Sequence, residues 1–391
     1  MKNIKLTVLL SIVCSNAFSQ LTLSNGKHVV EITGTASTYF NYRDLKDGEL
    51  DKKKNRFNLR DAQIQLEGRI GQEWAYELQV DFADIAANGL TTTTTDTENP
   101  GLMEAKVIYK GFPFMNFEVG YGKLHYSRSS LTPFQYSTFW QREQINRDLM
   151  SRRDIGLTLA KDFLNQQLNV ALGVYTGLGE TSLIGDNDAS GNLQYVGRID
   201  YSYPSRYRYR MIDDKISPTP MFSLGINGRY ANKRLPAGEV FPAGATGEYG
   251  MKVLNGEQIV YGFDFAAQYM GFSTQFEMHQ MRGNLQNSLD PLFQGLSATQ
   301  TNGYFLAGGW VSTVNYFVKD WKTIFSFRYE EMDFSDLVAG SAKRFSPAIA
   351  YQINGFNAMI KAQYFGIIKE DALDAVKANE QFRIGLQFML K

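Results

Sequence analysis

The sequence predicts an all-β protein, a 16-stranded antiparallel transmembrane β-barrel. Apolar residues recur at every second position along many segments, as they do on one face of a β-strand. Tyrosine, phenylalanine and glycine are abundant (22, 27 and 35 residues) and proline is rare (10 residues), a composition that favours extended structure. No run of about 18 apolar residues exists, which excludes a membrane protein built from spanning helices.

The N-terminal residues have the pattern of a secretory signal peptide. Basic Lys2 and Lys5 precede the apolar stretch from Leu6 to Val13, and Ala17 and Ser19 form an Ala-x-Ser pattern directly before a cleavage site that follows Ser19. The pattern predicts a signal peptide over residues 1–19 and a single barrel domain over residues 20–391. A lipoprotein signal anchored on Cys14 is the alternative, which bulky Val13 disfavours. Cys14 is the only cysteine, so the exported chain is expected to lack disulfides and thiol chemistry.

The charge balance restricts the class of partner. The chain carries 40 basic and 40 acidic residues, whereas a nucleic-acid-binding protein shows a basic excess. Nucleic acid is therefore not an expected partner.

Period-two alternation defines the strands. It is clear from Trp74 to Phe82 and from Phe382 to Leu390. The predicted strands lie near 30–44, 56–70, 74–83, 102–112, 115–124, 152–163, 168–177, 193–203, 221–232, 259–270, 272–283, 302–317, 321–334, 342–355, 357–369 and 380–390. The second strand changes phase between Leu59 and Ala62, which predicts a β-bulge at Arg60-Asp61.

The links between strands alternate between short and long. This alternation is typical of outer-membrane barrels, which have short periplasmic turns and longer outer loops. A sheet that spans the membrane must close into a barrel, because lipid offers no hydrogen-bond partners to the backbone of an open edge. Residues 204–220 break the pattern: the link is long where a short turn is expected. Its Arg206, Arg208 and Arg210 either line a periplasmic mouth or, as we expect, lie in water.

The inward positions of these strands carry ten charges of each sign. The basic ones are Arg56, Arg60, Lys106, Lys110, Arg198, Arg229, Arg328, Arg344, Lys361 and Arg383. The acidic ones are Asp61, Glu67, Glu77, Asp81, Glu104, Glu118, Asp200, Asp264, Glu277 and Glu330. A lumen with this balance should attract anions only weakly.

The segment 125–151 holds the candidate pore residues. Arg128, Arg142 and Arg147, with Arg152, Lys123 and Lys106 nearby, would select anions if they lined a constriction, because each guanidinium offers several fixed donors. Alternatively, these arginines pair with carboxylates and fix the segment to the wall. Five aromatic residues there, Tyr126, Phe134, Tyr136, Phe139 and Trp140, are expected to form a small core rather than a surface for sugar stacking. Arg328 and Arg383 are expected to lie far from this segment.

Catalytic and metal sites are not expected. The three histidines, His28, His125 and His279, have no metal-ligand spacing. His125 near Ser127, Ser129 and Ser130 is the best enzyme alternative, and it would require a serine and an aspartate within reach of one histidine. The sequence therefore predicts no enzyme, cofactor or metal.

Several segments resemble a known family. Phe57 to Gly68, Tyr76 to Ala83, and the stretches from Leu102 to Lys123 and Arg152 to Gly156 are similar to early strands of the phosphate-selective porin O and P family. The leader ending in Phe18-Ser19-Gln20 resembles those of Bacteroidota. The resemblance implies a trimeric porin whose third loop folds into the pore, although the balanced lumen departs from that family's ladder of basic residues.

Together these observations predict a passive, cofactor-free diffusion channel of the bacterial outer membrane. We expect it to pass small hydrophilic solutes with a weak preference for anions such as phosphate, and to contact outer-membrane lipid as a homotrimer. The alternatives are a pore for oligosaccharides or other neutral nutrients, and a non-conducting barrel that scaffolds an outer-membrane assembly.

Overall fold

Antiparallel strands dominate the computed structural model, which describes residues 21–43, 55–83, 101–149, 151–179, 187–207, 209–234, 252–285, 303–337, 341–370 and 380–390. The strands are β1 Leu21–Ser24, β2 His28–Arg43, β3 Asn55–Ile70, β4 Trp74–Asp81, β5 Leu102–Tyr109, β6 Asn116–Lys123, β7 Arg153–Phe163, β8 Leu168–Tyr175, β9 Gln194–Tyr203, β10 Met221–Lys233, β11 Gly256–Tyr269, β12 Phe272–Leu285, β13 Phe305–Val318, β14 Thr323–Asp333, β15 Ser341–Asn354, β16 Ala358–Glu370 and β17 Gln381–Leu390. Three short helical elements lie between β6 and β7: α1 Arg128–Leu131, a 3-10 turn Phe134–Tyr136, and α2 Gln144–Asp148. None of the helices in the described ranges is long and apolar enough to cross a membrane.

Strands β2 to β17 form a closed ring, which confirms the predicted 16-stranded barrel. Each strand pairs antiparallel with the next, and β17 pairs back onto β2 with Leu390 opposite Gly34. Strand β1, which the alternation did not predict, pairs with β2 over Val29 to Ile32. Strand β1 therefore pairs with the same edge of β2 as β17 does, beyond the point where β17 ends.

Polar side chains face the inside of the ring and apolar ones the outside. On β4, Leu78 is 39% exposed and neighbouring Gln79 only 5%, and on β11 Phe263 is 40% exposed and Asp264 0%. A soluble protein would bury the apolar face instead. The pattern is that of a barrel in lipid, with apolar residues facing outward and polar ones inward, and it confirms the predicted orientation of these residues.

The predicted β-bulge is present in β3. Ser37 of β2 lies opposite Asp61, whereas the next residue, Thr38, lies opposite Leu59. Arg60 is thus the extra residue, so the apolar residues on both sides of it keep facing outward.

Tight turns join the strands at one end of the barrel. Met270 and Gly271 link β11 to β12 with φ angles of 51° and 84°, the left-handed pair that a two-residue hairpin requires. The link 204–220 lies at this same end, between β9 and β10.

Candidate functional site

The segment between β6 and β7, residues 124–152, is the main element that contacts the inner wall; we call it loop 3. Ser127 caps α1, because its hydroxyl accepts a hydrogen bond of 3.1 Å from the Ser130 amide. Pro133 precedes the 3-10 turn and fixes its entry angle. Loop 3 therefore keeps a defined shape although it belongs to no strand.

Loop 3 is hydrogen-bonded to strands on the opposite side of the ring. Thr138 Oγ1 donates to Ser326 Oγ of β14 at 2.6 Å, and the Trp140 amide donates to Gln363 Oε1 of β16 at 2.6 Å. The Gln144 amide donates to Glu330 Oε2 of β14 at 2.8 Å. All three partners are buried residues of the polar, inward face, and β14 is eight strands away from β6 in the ring of sixteen.

Arg128 forms a buried ion pair at the start of loop 3. Its Nε lies 2.8 Å from Asp264 Oδ1, and its Nη2 donates to Ser223 Oγ at 2.6 Å. Arg198 contacts the same carboxylate at 2.7 Å. Gly225 makes room for this cluster, because a Cβ there would lie 2.4 Å from Arg198 Nη2. Arg128 and Arg198 thus hold loop 3 against β11.

The other predicted arginines of loop 3 occupy different environments. Arg147 lies in α2 and is 7% exposed. Arg152 is 2% exposed, and its carbonyl accepts from the Leu124 amide at 2.9 Å, which closes the base of the loop. Arg142 donates to the Ser129 carbonyl at 2.7 Å and also lines an open cavity.

That cavity, of about 150 Å³, lies between loop 3 and the wall formed by β2, β3 and β4. Its charged lining residues are Arg60, Lys123, Arg142, Arg153, Asp61, Glu67 and Glu77. Glutamines contribute most of the neutral polar lining: Gln63, Gln65, Gln79 and Gln135. Three of the sequence-predicted candidates, Arg60, Lys123 and Arg142, therefore line the same cavity.

Phe134, the first residue of the 3-10 turn of loop 3, lines this cavity. The Arg60 guanidinium lies 3.9 Å from the centre of its ring, and that of Arg142 lies 5.0 Å from it. Arg60 also forms an ion pair of 2.6 Å with Asp61. The five aromatic residues of loop 3 do not form the single core that was predicted. Tyr126 and Phe139 belong to two different apolar clusters, Trp140 is buried outside both, and Phe134 and Tyr136 line the cavity.

Lys106 lies within a group of carboxylates. Its Nζ is 3.2 Å from Glu77, 3.4 Å from Glu104 and 3.8 Å from Glu118. Arg153 contacts Glu104 at 3.2 Å from the other side. The positive charge of Lys106 is thus compensated within the wall.

The remaining candidate lumen residues are distributed along the wall. Arg229 is buried and donates to the Lys252 and Leu149 carbonyls at 3.2 and 3.3 Å. Its guanidinium lies 5.7 Å from the ring of Tyr126, and burial raises the pKa of that phenol above its usual range despite the positive charge beside it. Arg56 is half-buried on β3, and Lys110 is exposed just beyond the end of β5.

The expectation that Arg328 and Arg383 lie far from loop 3 is wrong. Arg328 donates to the Gln141 carbonyl at 2.9 Å, and its guanidinium lies 4.4 Å from the ring of Phe139. Arg383 donates to the Trp140 carbonyl at 3.4 Å. Loop 3 reaches β14 and β17, which separation along the sequence does not reveal.

The histidine of the enzyme alternative is not joined to a serine. His125 Nε2 lies 3.6 Å from Glu118 Oε2, whereas Ser129 Oγ donates to Glu277. Within the described ranges no hydrogen bond links His125 to Ser127, Ser129 or Ser130, and no group of His, Cys, Asp and Glu could hold a metal ion.

Sequence comparison identifies the family of this barrel. The profile of the phosphate-selective porin O and P family matches residues 31–327, which is most of the chain. The chain belongs to this porin family. No curated protein is significantly similar to it in sequence.

Solved structures similar to this porin include other outer-membrane channels. The anion-selective porin of Comamonas acidovorans has a TM-score of 0.57 at 12% identity, with 93% of this chain and 100% of that chain covered. OmpF of Salmonella typhi, in complex with daunomycin, has a TM-score of 0.58 at 12% identity, covering 95% and 100%. OmpT of Vibrio cholerae in its trimer form has a TM-score of 0.56 at 12% identity, covering 93% and 99%. These likenesses show the same fold.

Family and fold together establish the general activity. This porin is a passive diffusion channel of the bacterial outer membrane. The glutamine-rich strand faces, Gln79 among them, are expected from the sequence to line water, but sequence reasoning does not identify Gln63, Gln65 and Gln135 as residues of the site. The inward positions of Gln63 and Gln65 on β3 could have indicated the first two.

Proposed function

We propose that this porin passes small hydrophilic solutes with a weak preference for anions, and that the passage between loop 3 and strands β2 to β4 determines this preference. The observation that carries the proposal is the charged lining of that passage. Four basic residues face three acidic ones there, a net difference of one positive charge. Asp61 is paired with Arg60. The excess positive potential therefore comes mainly from the other three basic residues, Lys123, Arg142 and Arg153.

Loop 3 acts in this proposal as the constriction folded into the lumen. Its hydrogen bonds to inward-facing Ser326, Gln363 and Glu330 support this position. Charges in a narrow, poorly hydrated zone act on an ion at short range and with little screening. The balanced charges elsewhere in the lumen act at longer range and largely cancel.

Lys123 is the residue with the clearest predicted effect on ions. It lies at the end of β6, lines the passage, and its ammonium forms no hydrogen bond or ion pair with another described residue. A cation in this state is available to a passing anion. We therefore expect Lys123 to contribute more to selectivity than Lys106, whose charge three carboxylates compensate.

The reversal potential across a planar bilayer in asymmetric KCl tests the proposal. Lys123→Gln should shift it towards cation preference at unchanged conductance. Lys343→Gln is the matched control, because that lysine is 41% exposed and pairs with Glu331 outside the ring. An unshifted potential in Lys123→Gln, or an equal shift in the control, would contradict the proposal.

A pore for neutral solutes is the second candidate. The amides of Gln63, Gln65, Gln79 and Gln135 line the same passage, and amides donate and accept hydrogen bonds without selecting charge. Liposome swelling in sugars of increasing size distinguishes this candidate, and an absence of any conductance would favour the scaffold alternative.

We also propose that the porin is a homotrimer in contact with outer-membrane lipid. Strands β4, β5, β6 and β8 have eight residues each. At the usual tilt, eight residues rise only about 21 Å, less than the roughly 25 Å apolar band of such barrels. Neighbouring subunits would cover this low part of the wall. Light scattering on the detergent-extracted protein tests the trimer, and a monomeric mass would contradict it.

Export through a signal peptide of residues 1–19 is part of the same proposal. The mature chain should then begin at Gln20. The intact mass of the protein purified from outer membranes tests the cleavage site, and retention of residues 1–19 would contradict it.

A further inference from the structure

The middle of the link between β9 and β10 is buried, whereas both ends of the link, residues 204–206 and 218–220, are exposed. Tyr207, Met211 and Ile212 are 4%, 3% and 2% exposed. The Met211 carbonyl accepts from Ser273 Oγ and from Asn315 Nδ2, both at 2.9 Å. Ser273 and Asn315 are fully buried residues of the polar, inward face of β12 and β13. The link therefore packs against the inner wall from the end of the barrel that carries the tight turns.

The link also contacts loop 3. Ser137 of loop 3 donates from Oγ to Met211 Sδ at 3.5 Å. The Arg210 guanidinium lies 5.3 Å from the ring of Tyr136. Phe139, Met211 and Ile212 share one apolar cluster with Phe317 and Ile324. Two segments that enter from opposite ends of the barrel thus meet in its interior.

Arg128 strengthens this junction. Its guanidinium lies 5.3 Å from the ring of Tyr207 and 5.4 Å from that of Tyr209, while its Nε contacts Asp264. Arg128 of loop 3 therefore contacts both Asp264 of β11 and two tyrosines of the link. Cation–π contacts of buried arginine are among the stronger ones.

We propose that the buried part of this link, Tyr207 and residues 209–213, forms a second internal constriction, which together with loop 3 closes the β9 to β14 side of the barrel. Solutes are then confined to the passage beside β2, β3 and β4. The residues that line this passage come from β2 to β7, β17 and loop 3, and among the described residues none belongs to the link. This assignment concerns where the pore is open and holds whatever ions the pore prefers.

Removing the link tests the proposal directly. In the first variant, residues 204–221 are replaced by Asn-Gly, so that Tyr203 and Phe222, which lie opposite each other, are joined by a two-residue hairpin. Single-channel conductance should rise about twofold or more, because a second path for ions opens through the lumen. Unchanged conductance in a variant that retains the heat-modifiable mobility of the folded barrel would overturn the proposal.

Thiol accessibility provides a test that leaves the link intact. Ser273→Cys lies beneath the link, and Gln65→Cys lies in the open passage; the chain's own cysteine, Cys14, falls in the predicted signal peptide. A membrane-impermeant methanethiosulfonate should modify Gln65→Cys and reduce its conductance, but leave Ser273→Cys unmodified. In the shortened variant Ser273→Cys should become reactive. Equal reactivity of the two cysteines in the full-length chain would overturn the proposal.

Discussion

Arg128 and Asp264 are 136 residues apart in sequence, and their side chains form an ion pair of 2.8 Å inside the barrel. Arg128 belongs to loop 3 and Asp264 to β11, and both are at most 1% exposed. Arg198 completes the cluster with contacts of 2.7 and 3.0 Å to the same carboxylate. Asp264 therefore neutralises two guanidiniums, one from the wall and one from loop 3.

Removing the charge of Asp264 should destabilise the barrel strongly. Asp264→Asn leaves the buried Arg128 guanidinium without its carboxylate and leaves Arg198 with Asp200 alone, at 3.3 Å. Loss of one partner of a buried pair costs about 3–5 kcal/mol. Asp162→Asn is the matched control, because its partner Arg206 is half-exposed and exposed pairs contribute about 1 kcal/mol or less. Urea unfolding of the lipid-reconstituted protein measures both. Equal losses in the two variants would show that the Asp264 cluster is not important for stability.

The orientation of the wall predicts a contrast between two neighbouring positions. Leu78→Arg places a cation on the lipid-facing side, where it should cost roughly 2–4 kcal/mol near the membrane midplane. Gln65→Arg, on the adjacent strand β3, points into the open passage and should be mild. Folding into lipid vesicles under urea titration compares the two variants. Similar costs would contradict the assignment of inside and outside.

Two arginines of loop 3 should differ in their effect on ions. Arg142 lines the passage, whereas Arg147 is buried in α2 and is not part of the passage lining. We therefore expect Arg142→Gln to shift the reversal potential towards cations, and Arg147→Gln to leave it near the wild-type value. A larger shift in Arg147→Gln would mean that ions follow another route.

The sequence was sufficient to predict the barrel because strand alternation is a local property. The sixteen strands, the bulge at Arg60 and the outward position of Leu78 all follow from residues that are neighbours in the chain. The partners of Arg128 and Arg328 could not be predicted in this way, because they depend on which strands face each other after the ring has closed. For the same reason Arg210, expected in water, is instead found against Tyr136 of loop 3. Arg206 is half-exposed, as expected, and Arg208 lies outside the described residues.

The junction between the link and loop 3 should loosen at high pH. Burial raises the pKa of Tyr207 from 10.0 to about 12, an effect that nearby Asp213 supports and Arg128 opposes. A group whose pKa is higher in the folded state than in the unfolded state contributes its full stability below the unfolded value, and this contribution is lost as pH rises through the folded value. The docked link should therefore be fully stable below pH 10 and progressively weaker between pH 10 and pH 12.

Conductance recorded as a function of pH measures this release. If the link closes part of the lumen, conductance should increase between pH 10 and pH 12 as Tyr207 ionises, and tyrosinate absorbance should rise over the same range. Tyr207→Phe keeps the ring beside Arg128 but has no ionisable phenol, so its increase should be smaller. Tyr203→Phe is the control, because Tyr203 is 50% exposed on the neighbouring strand and should behave as the wild type. If Tyr207→Phe and Tyr203→Phe respond identically to pH, the ionisation of Tyr207 does not govern the junction.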